Sequence, residues 1–256
     1  MTARTDTHGG HGGAPDPRSA RAGSPRVTAC TFDCYGTLID WRAGIERALG
    51  AALRARGDPG PTPVYDLYTE VERDVETRYA PYREILATSA HRVGERLGIP
   101  LSASDAREFA ESLPTWSAFP DTVPTLRELG RRGVRRVILS NVDRDLLEET
   151  IRRNRLEIDG FVTAEDVRSY KPGAAHWLRF FQDYPGDRET TLHVAHSLVH
   201  DIVPAQRLGL RTVWVDRYTE ARPPSIRPTY SVRDVRSLFT LDILGGSVRP
   251  DPLHEA

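Results

Sequence analysis

Arg26-Val-Thr-Ala-Cys-Thr-Phe-Asp33-Cys-Tyr-Gly36-Thr37-Leu-Ile-Asp40 is the stretch whose reading decides the fold: a short apolar strand runs into an aspartate and then breaks at a glycine. In an open parallel sheet, ligands bind beyond the C-terminal ends of the strands, which is where Asp33 would stand. Gly36 can take φ > 0, so the turn after it offers backbone N–H groups and the Thr37 hydroxyl to an anion. Asp33 is therefore a candidate nucleophile. The plainer reading, an aspartate that ends a strand or caps the next helix, fits this one turn equally well.

Working outward, the apolar spacing of Ile45, Leu49, Ala52 and Leu53 predicts a helix that runs to about Gly57. Three more helical patterns follow, Val64 to about Tyr79, Tyr82 to Leu97 and Ala103 to about Leu113, broken by Pro81 and by Gly98-Ile99-Pro100. No strand pattern interrupts them. Beyond this block, strands and helices alternate: helix Thr122 to Arg132, strand Val134 to Leu139, helix Asp143 to Arg155, strand Phe161 to Thr163, helix Pro172 to Asp183, strand Leu192 to Ala195, a helix ended by Gly209, and strand Thr212 to Val215. Such alternation with short connections predicts an α/β fold, a doubly wound parallel sheet with helices on both faces. The expected organisation is a disordered tail over 1–26, an α/β core over 27–44 and 118–242, an all-helical insert over 45–117 and a frayed end over 243–256.

Composition narrows the function. Of 256 residues, 39% are hydrophobic and 28% charged, enough for one good core or for a core plus a smaller insert. The net charge of −1 sets up no global field that calls for nucleic acid or an anionic membrane, and no apolar run is long enough to span a bilayer. Residues 1–26 carry Gly, Pro, Ser and Arg without an apolar segment, so neither order nor a secretory signal is expected there; His8 and His11 read as solvated. Cys30 and Cys34, four apart on one expected strand, suggest neither a disulfide nor a metal site, and a reducing cytoplasm fits best. Lys171 is the only lysine, against 34 arginines. In a chain so biased toward arginine, a surviving lysine points to a place that needs a compact ammonium.

Phe32-Asp33-Cys34-Tyr35-Gly36-Thr37-Leu38 resembles the first motif of the haloacid dehalogenase superfamily, and in particular its L-2-haloacid dehalogenase branch, which carries Tyr two places after the nucleophile. Leu139-Ser140-Asn141, then Ser169-Tyr170-Lys171-Pro172, then His193-Val194-Ala195-His196-Ser197 followed by Asp201 fit the later motifs in order, so that the resemblance spans about residues 28 to 220. It implies a Rossmann-like core with a helical cap inserted after the first strand. It also implies covalent chemistry: Asp33 attacks the substrate, Lys171 keeps that carboxylate ionised, and Asp201 orients or deprotonates the water that cleaves the intermediate. Tyr35, Thr37, Ser140 and Asn141 become candidate substrate-binding residues.

Two departures weigh against a magnesium-dependent phosphatase of the superfamily. His196 stands where those enzymes place an acid, and Tyr35 where they place a second aspartate to protonate the leaving group. The dehalogenase pattern has gaps as well. An arginine expected early in the cap falls near Glu70 to Glu72, a tyrosine six after the lysine is Trp177, and an asparagine three before the late acid is Leu198. Trp177 reads as core, whereas Arg73, Arg78 and Arg83 with Tyr79 and Tyr82 are candidates for a substitute anion clamp. The expectation is a metal-independent, cofactor-free hydrolase that cleaves a carbon–leaving-group bond in a small anionic molecule. A magnesium phosphatase and a non-catalytic protein stay open as alternatives, as does a homodimer.

Overall fold

A computed structural model describes residues 26–247. Residues 1–25 and 248–256 of the expected terminal segments lie outside the described residues, whereas 243–247 are described and not frayed as expected, since Ile243 and Leu244 are buried there. The first strand, β1 (Ala29–Phe32), is followed by four helices, α1 (Trp41–Arg54), α2 (Val64–Val75), α3 (Tyr82–Arg96) and α4 (Ala103–Ser112), with no strand among them. Then come α5 (Thr122–Arg131), β2 (Arg135–Ser140), α6 (Arg144–Asn154), β3 (Gly160–Thr163), the single turn α7 (Ala164–Val167), α8 (Ala175–Asp183) and β4 (Thr191–Ala195). The short α9 (Val203–Arg207), β5 (Arg211–Val215) and β6 (Tyr230–Val232) follow, and two 3₁₀ turns, Val235–Thr240 and Asp242–Leu244, end the described chain. All neighbouring strands are parallel, in the order β3-β2-β1-β4-β5-β6. The order reverses between β1 and β4, which makes the tip of β1 the crevice of the sheet.

Every residue of β1 is buried, as a strand covered on both faces requires. The period of two divides its side chains: Cys30 and Phe32 join Ile138, Leu126 and Leu129 in the larger core, and Ala29 faces Val137, Leu139, Trp177 and Phe180 on the other side. β1 stops at Phe32, so Cys34 lies in the turn and not on the strand as expected; both cysteines are free and buried.

The helices form a cap over the strand tips. Asp40 caps α1 by accepting from the Ala43 amide at 3.0 Å, and α1 buries Trp41, Ile45, Leu49 and Leu53. Gly44 of that helix is a close-approach position, since a Cβ there would lie 2.2 Å from the Trp116 ring. Ser102 and Asp105 make a reciprocal capping box at the start of α4. Asp143 ties core to cap, its two carboxylate oxygens accepting the Tyr82 and Arg83 amides at 2.7 and 3.0 Å at the N-terminus of α3, where the helix dipole favours an anion.

Several elements differ from their expected bounds. α2 ends at Val75, four residues early, because Glu76 leaves helical dihedrals (ψ 48°) and its carboxylate turns to Asn141. α8 starts at Ala175, and the residues after Lys171 form a turn. β6 was not anticipated, since three residues flanked by a proline-rich loop carry almost no periodic signal. Asp201 sits in a single π-helical turn, Leu198–Ile202, ahead of α9; such turns recur at functional sites. Among the described residues no helix is long and apolar enough to cross a membrane.

Candidate active site

Asp33 follows β1 directly, its amide bonded to the Val194 carbonyl of β4 at 3.1 Å. One carboxylate oxygen accepts from Lys171 Nζ at 2.8 Å and the other from Thr37 Oγ1 at 2.7 Å. Lys171, only 2% exposed, donates also to Asp201 Oδ1 at 2.7 Å and to the Leu139 carbonyl at 2.9 Å, so its three N–H groups are all used. Burial weakens its hold on the proton, but Asp201 and Asp33 outweigh burial and hold the ammonium above the ordinary lysine range. Asp201 is held well below the usual carboxylate range: burial opposes its charge, and Lys171 and His193 outweigh burial.

His193 completes this buried chain. Its Nε2 is 3.2 Å from Asp201 Oδ1, and Trp177 Nε1 is 3.4 Å from its Nδ1. An indole can only donate, so Nδ1 is the acceptor and Nε2 carries the hydrogen that faces Asp201. Trp177 is thus core, as expected, and serves His193. Every hydrogen bond to the Asp201 side chain among the described residues falls on Oδ1.

Above Asp33 opens a cavity of about 540 Å³, walled by Ser140, Asn141, Lys171, Asp201, His196 and, from the cap, the inward face of α2. Of the expected substrate-binding residues, Tyr35, Ser140 and Asn141 line it and Thr37 does not. Thr37 is fully buried and absent from the wall; its oxygen donates to Asp33 and accepts from the His196 amide at 2.9 Å, so it orients the aspartate rather than a ligand. Tyr35 lines the cavity, but its hydroxyl donates to Thr150, whose own proton goes to the Leu146 carbonyl. Asn141 lines the wall with its amide fully engaged, accepting from the Lys171 N–H at 2.7 Å and donating to the Lys171 carbonyl and to Glu76.

The expected arginine clamp is mostly spent elsewhere. Arg83 pairs with Asp143, Asp145 and Glu111, Arg78 is exposed outside the wall, and Tyr79 sits under Arg168. Arg73 and Tyr82 do reach the cavity. Residues that sequence reasoning missed are Arg42, whose guanidinium lies 4.5 and 4.4 Å from the Tyr65 and Tyr218 ring centres, and the acids Glu72 and Glu76. The acids left a readable signal: Tyr68, Glu72 and Glu76 recur every four residues, the first two on the face of α2 that buries Val64 and Val71 and Glu76 just past its end.

Asp33 and Asp201 both direct an oxygen at the Lys171 ammonium, and His196 places Nδ1 at 3.1 Å from the Val215 carbonyl and Nε2 at 3.4 Å from Glu220. Among the described residues no three His, Cys, Asp or Glu side chains group so as to hold a metal.

Residues 27–209 match the family model described as haloacid dehalogenase-like hydrolase. The chain is 25% identical over 214 residues to (S)-2-haloacid dehalogenase 1 of Pseudomonas sp. (strain CBS-3), an alignment that covers 79% of this chain and 90% of that one. It is 24% identical over 230 residues to the pyrimidine 5'-nucleotidase PynA of Streptococcus pneumoniae (strain ATCC BAA-255 / R6), covering 81% and 92%. Its fold superposes with a TM-score of 0.71 on L-2-haloacid dehalogenase from Xanthobacter autotrophicus with chloropropionic acid covalently bound, at 18% identity and over 83% of this chain and 96% of that one. With an aspartate at the tip of β1, a buried lysine bridging it to a second acid and a family match across most of the α/β core and its cap, this chain belongs to the haloacid dehalogenase-like hydrolases.

Proposed function

We propose that the protein hydrolyses a carbon–leaving-group bond in a small anionic substrate of the 2-haloacid type, through an ester on Asp33 and without a metal. The observation that carries this reading is the ammonium of Lys171, set 2.8 Å from Asp33 and 2.7 Å from Asp201. A fixed buried cation at that distance orients the attacking carboxylate and links it to the second acid. In the first step a carboxylate oxygen of Asp33 attacks the carbon; the new C–O bond forms as the carbon–halogen bond breaks, and halide leaves with the electron pair. Halide needs no proton, which agrees with Tyr35, whose phenol burial holds well above its ordinary range, standing where a proton donor would be needed. In the second step water adds to the ester carbonyl of Asp33, the hydroxy acid leaves, and Asp33 is regenerated with one oxygen from water. Asp201 orients that water through Oδ2, since Oδ1 is committed to Lys171 and His193.

Chloride release from (S)-2-chloropropionate, with and without EDTA, tests the reading: turnover unchanged by the chelator is the expected result. No halide release, together with magnesium-dependent hydrolysis of a nucleoside monophosphate, would move the function to a phosphatase. Asp201→Asn should release about one halide per site and then stall, with a trapped adduct visible as a mass increase of the intact protein. Steady turnover without a burst in a variant that only melts earlier would reduce Asp201 to a structural partner of Lys171.

A further inference from the structure

The cap brings two carboxyls, Glu72 and Glu76, to the wall of the nucleophile's cavity. They stand one turn apart, and neither lies within 4 Å of a cationic side chain in any ion pair among the described residues. The groups that face them come from every packed element. Tyr68 of α2 and Tyr82 of α3 donate their hydroxyls to Glu72 at 3.1 and 2.7 Å. From the core, Asn141 donates one amide hydrogen to Glu76 at 2.7 Å, Tyr170, Lys171 and Asp201 lie within electrostatic range of it, and Lys171 has no N–H left to offer.

Two neighbouring, partly buried carboxyls with no cationic partner resist ionising together. Two phenol donors favour the charge on Glu72, whereas Glu76, with one amide donor and a charged neighbour, keeps the proton. Burial pushes Glu72 up to about 7; burial, reinforced by Glu72, pushes Glu76 up to about 8. Of the wall's arginines, Arg73 is exposed and Arg42 packs on the Tyr65 and Tyr218 rings.

Resting on the dehalogenase reading above, we propose that Glu76 is a specificity-determining residue that, while protonated, donates a hydrogen bond to the substrate's carboxylate in place of a cationic clamp. Deprotonated, it sets a negative charge beside that carboxylate and repels it. A neutral substrate of the same shape escapes the repulsion.

The test compares kcat/KM for (S)-2-chloropropionate and its neutral amide, (S)-2-chloropropionamide, between about pH 6 and about pH 9.5. In the wild type the acid-to-amide ratio should fall about tenfold per pH unit above about 8. In Glu76→Gln, whose amide donates at every pH, the ratio should be flat. A flat ratio in the wild type, or the same fall in Glu76→Gln, overturns the proposal. Calorimetric binding of lactate at about pH 6.5 and about pH 9.5 separates this from the chemistry, since it needs no turnover. Lactate binding that weakens with pH in the wild type but not in Glu76→Gln, with chloride released from neither probe, upholds Glu76 and sinks dehalogenation. Lactate that fails to bind, or binds with no dependence on Glu76, sinks the proposal itself.

Discussion

Asp33→Asn should lose at least about 10³-fold in kcat while its melting transition stays near that of the wild type. The amide removes the attacking charge but keeps size and planarity, and Lys171 retains Asp201 and the Leu139 carbonyl as partners, so the buried cation is not stranded. The companion experiment is a single turnover of wild-type enzyme in H₂¹⁸O. An ester that water cleaves at the Asp33 carbonyl leaves ¹⁸O on the aspartate, where peptide mass analysis finds it. Label only in the hydroxy acid would mean that water attacks the substrate directly, and the covalent route would fall even if Asp33→Asn were inactive.

Lys171→Arg should lower kcat/KM by more than about tenfold, roughly 1.4 kcal/mol of transition-state stabilisation. Charge is conserved in this variant and geometry is not. Three acceptors at 2.7 to 2.9 Å surround one nitrogen that is 2% exposed, and they converge as a tetrahedral ammonium requires. A planar guanidinium is larger and spreads its donors in a fork, so it cannot serve Asp33, Asp201 and the Leu139 carbonyl together without moving β2 or the Lys171 turn. Removing the charge with Lys171→Met should go further, since two buried carboxylates would lose their shared cation, at a cost of about 3–5 kcal/mol. The pH sign follows. In the wild type Asp201 titrates below its unfolded value, so its contribution to stability is present above that value and lost as acid protonates it. Without the cation the folded state takes up protons instead, and Lys171→Met should be most stable in mild acid. Near-normal activity of Lys171→Arg would show that the site needs only a positive charge.

What the sequence determined by itself is what short-range patterns encode. The apolar run before Asp33, the glycine after it, the period of 3.6 through the cap and the later strand tips predicted β1 to β5, the helical insert and a parallel sheet. The lone lysine among 34 arginines marked a position for a compact cation. Tertiary structure decided which groups meet. Lys171 lies 138 residues from Asp33, and only the placement of β1 between β2 and β4 brings the two to 2.8 Å. Whether a polar side chain is free to bind depends on partners remote in the chain, and no local pattern reports them: Thr150 takes the Tyr35 hydroxyl, Asp143 and Asp145 take Arg83, and Lys171 and Glu76 exhaust Asn141. Glu72 and Glu76 show the division most directly. Their four-residue spacing was legible, but the place of Glu76 in the cavity wall depends on α2 ending at Val75, so that the Glu76 carboxyl meets Asn141 at the tip of β2.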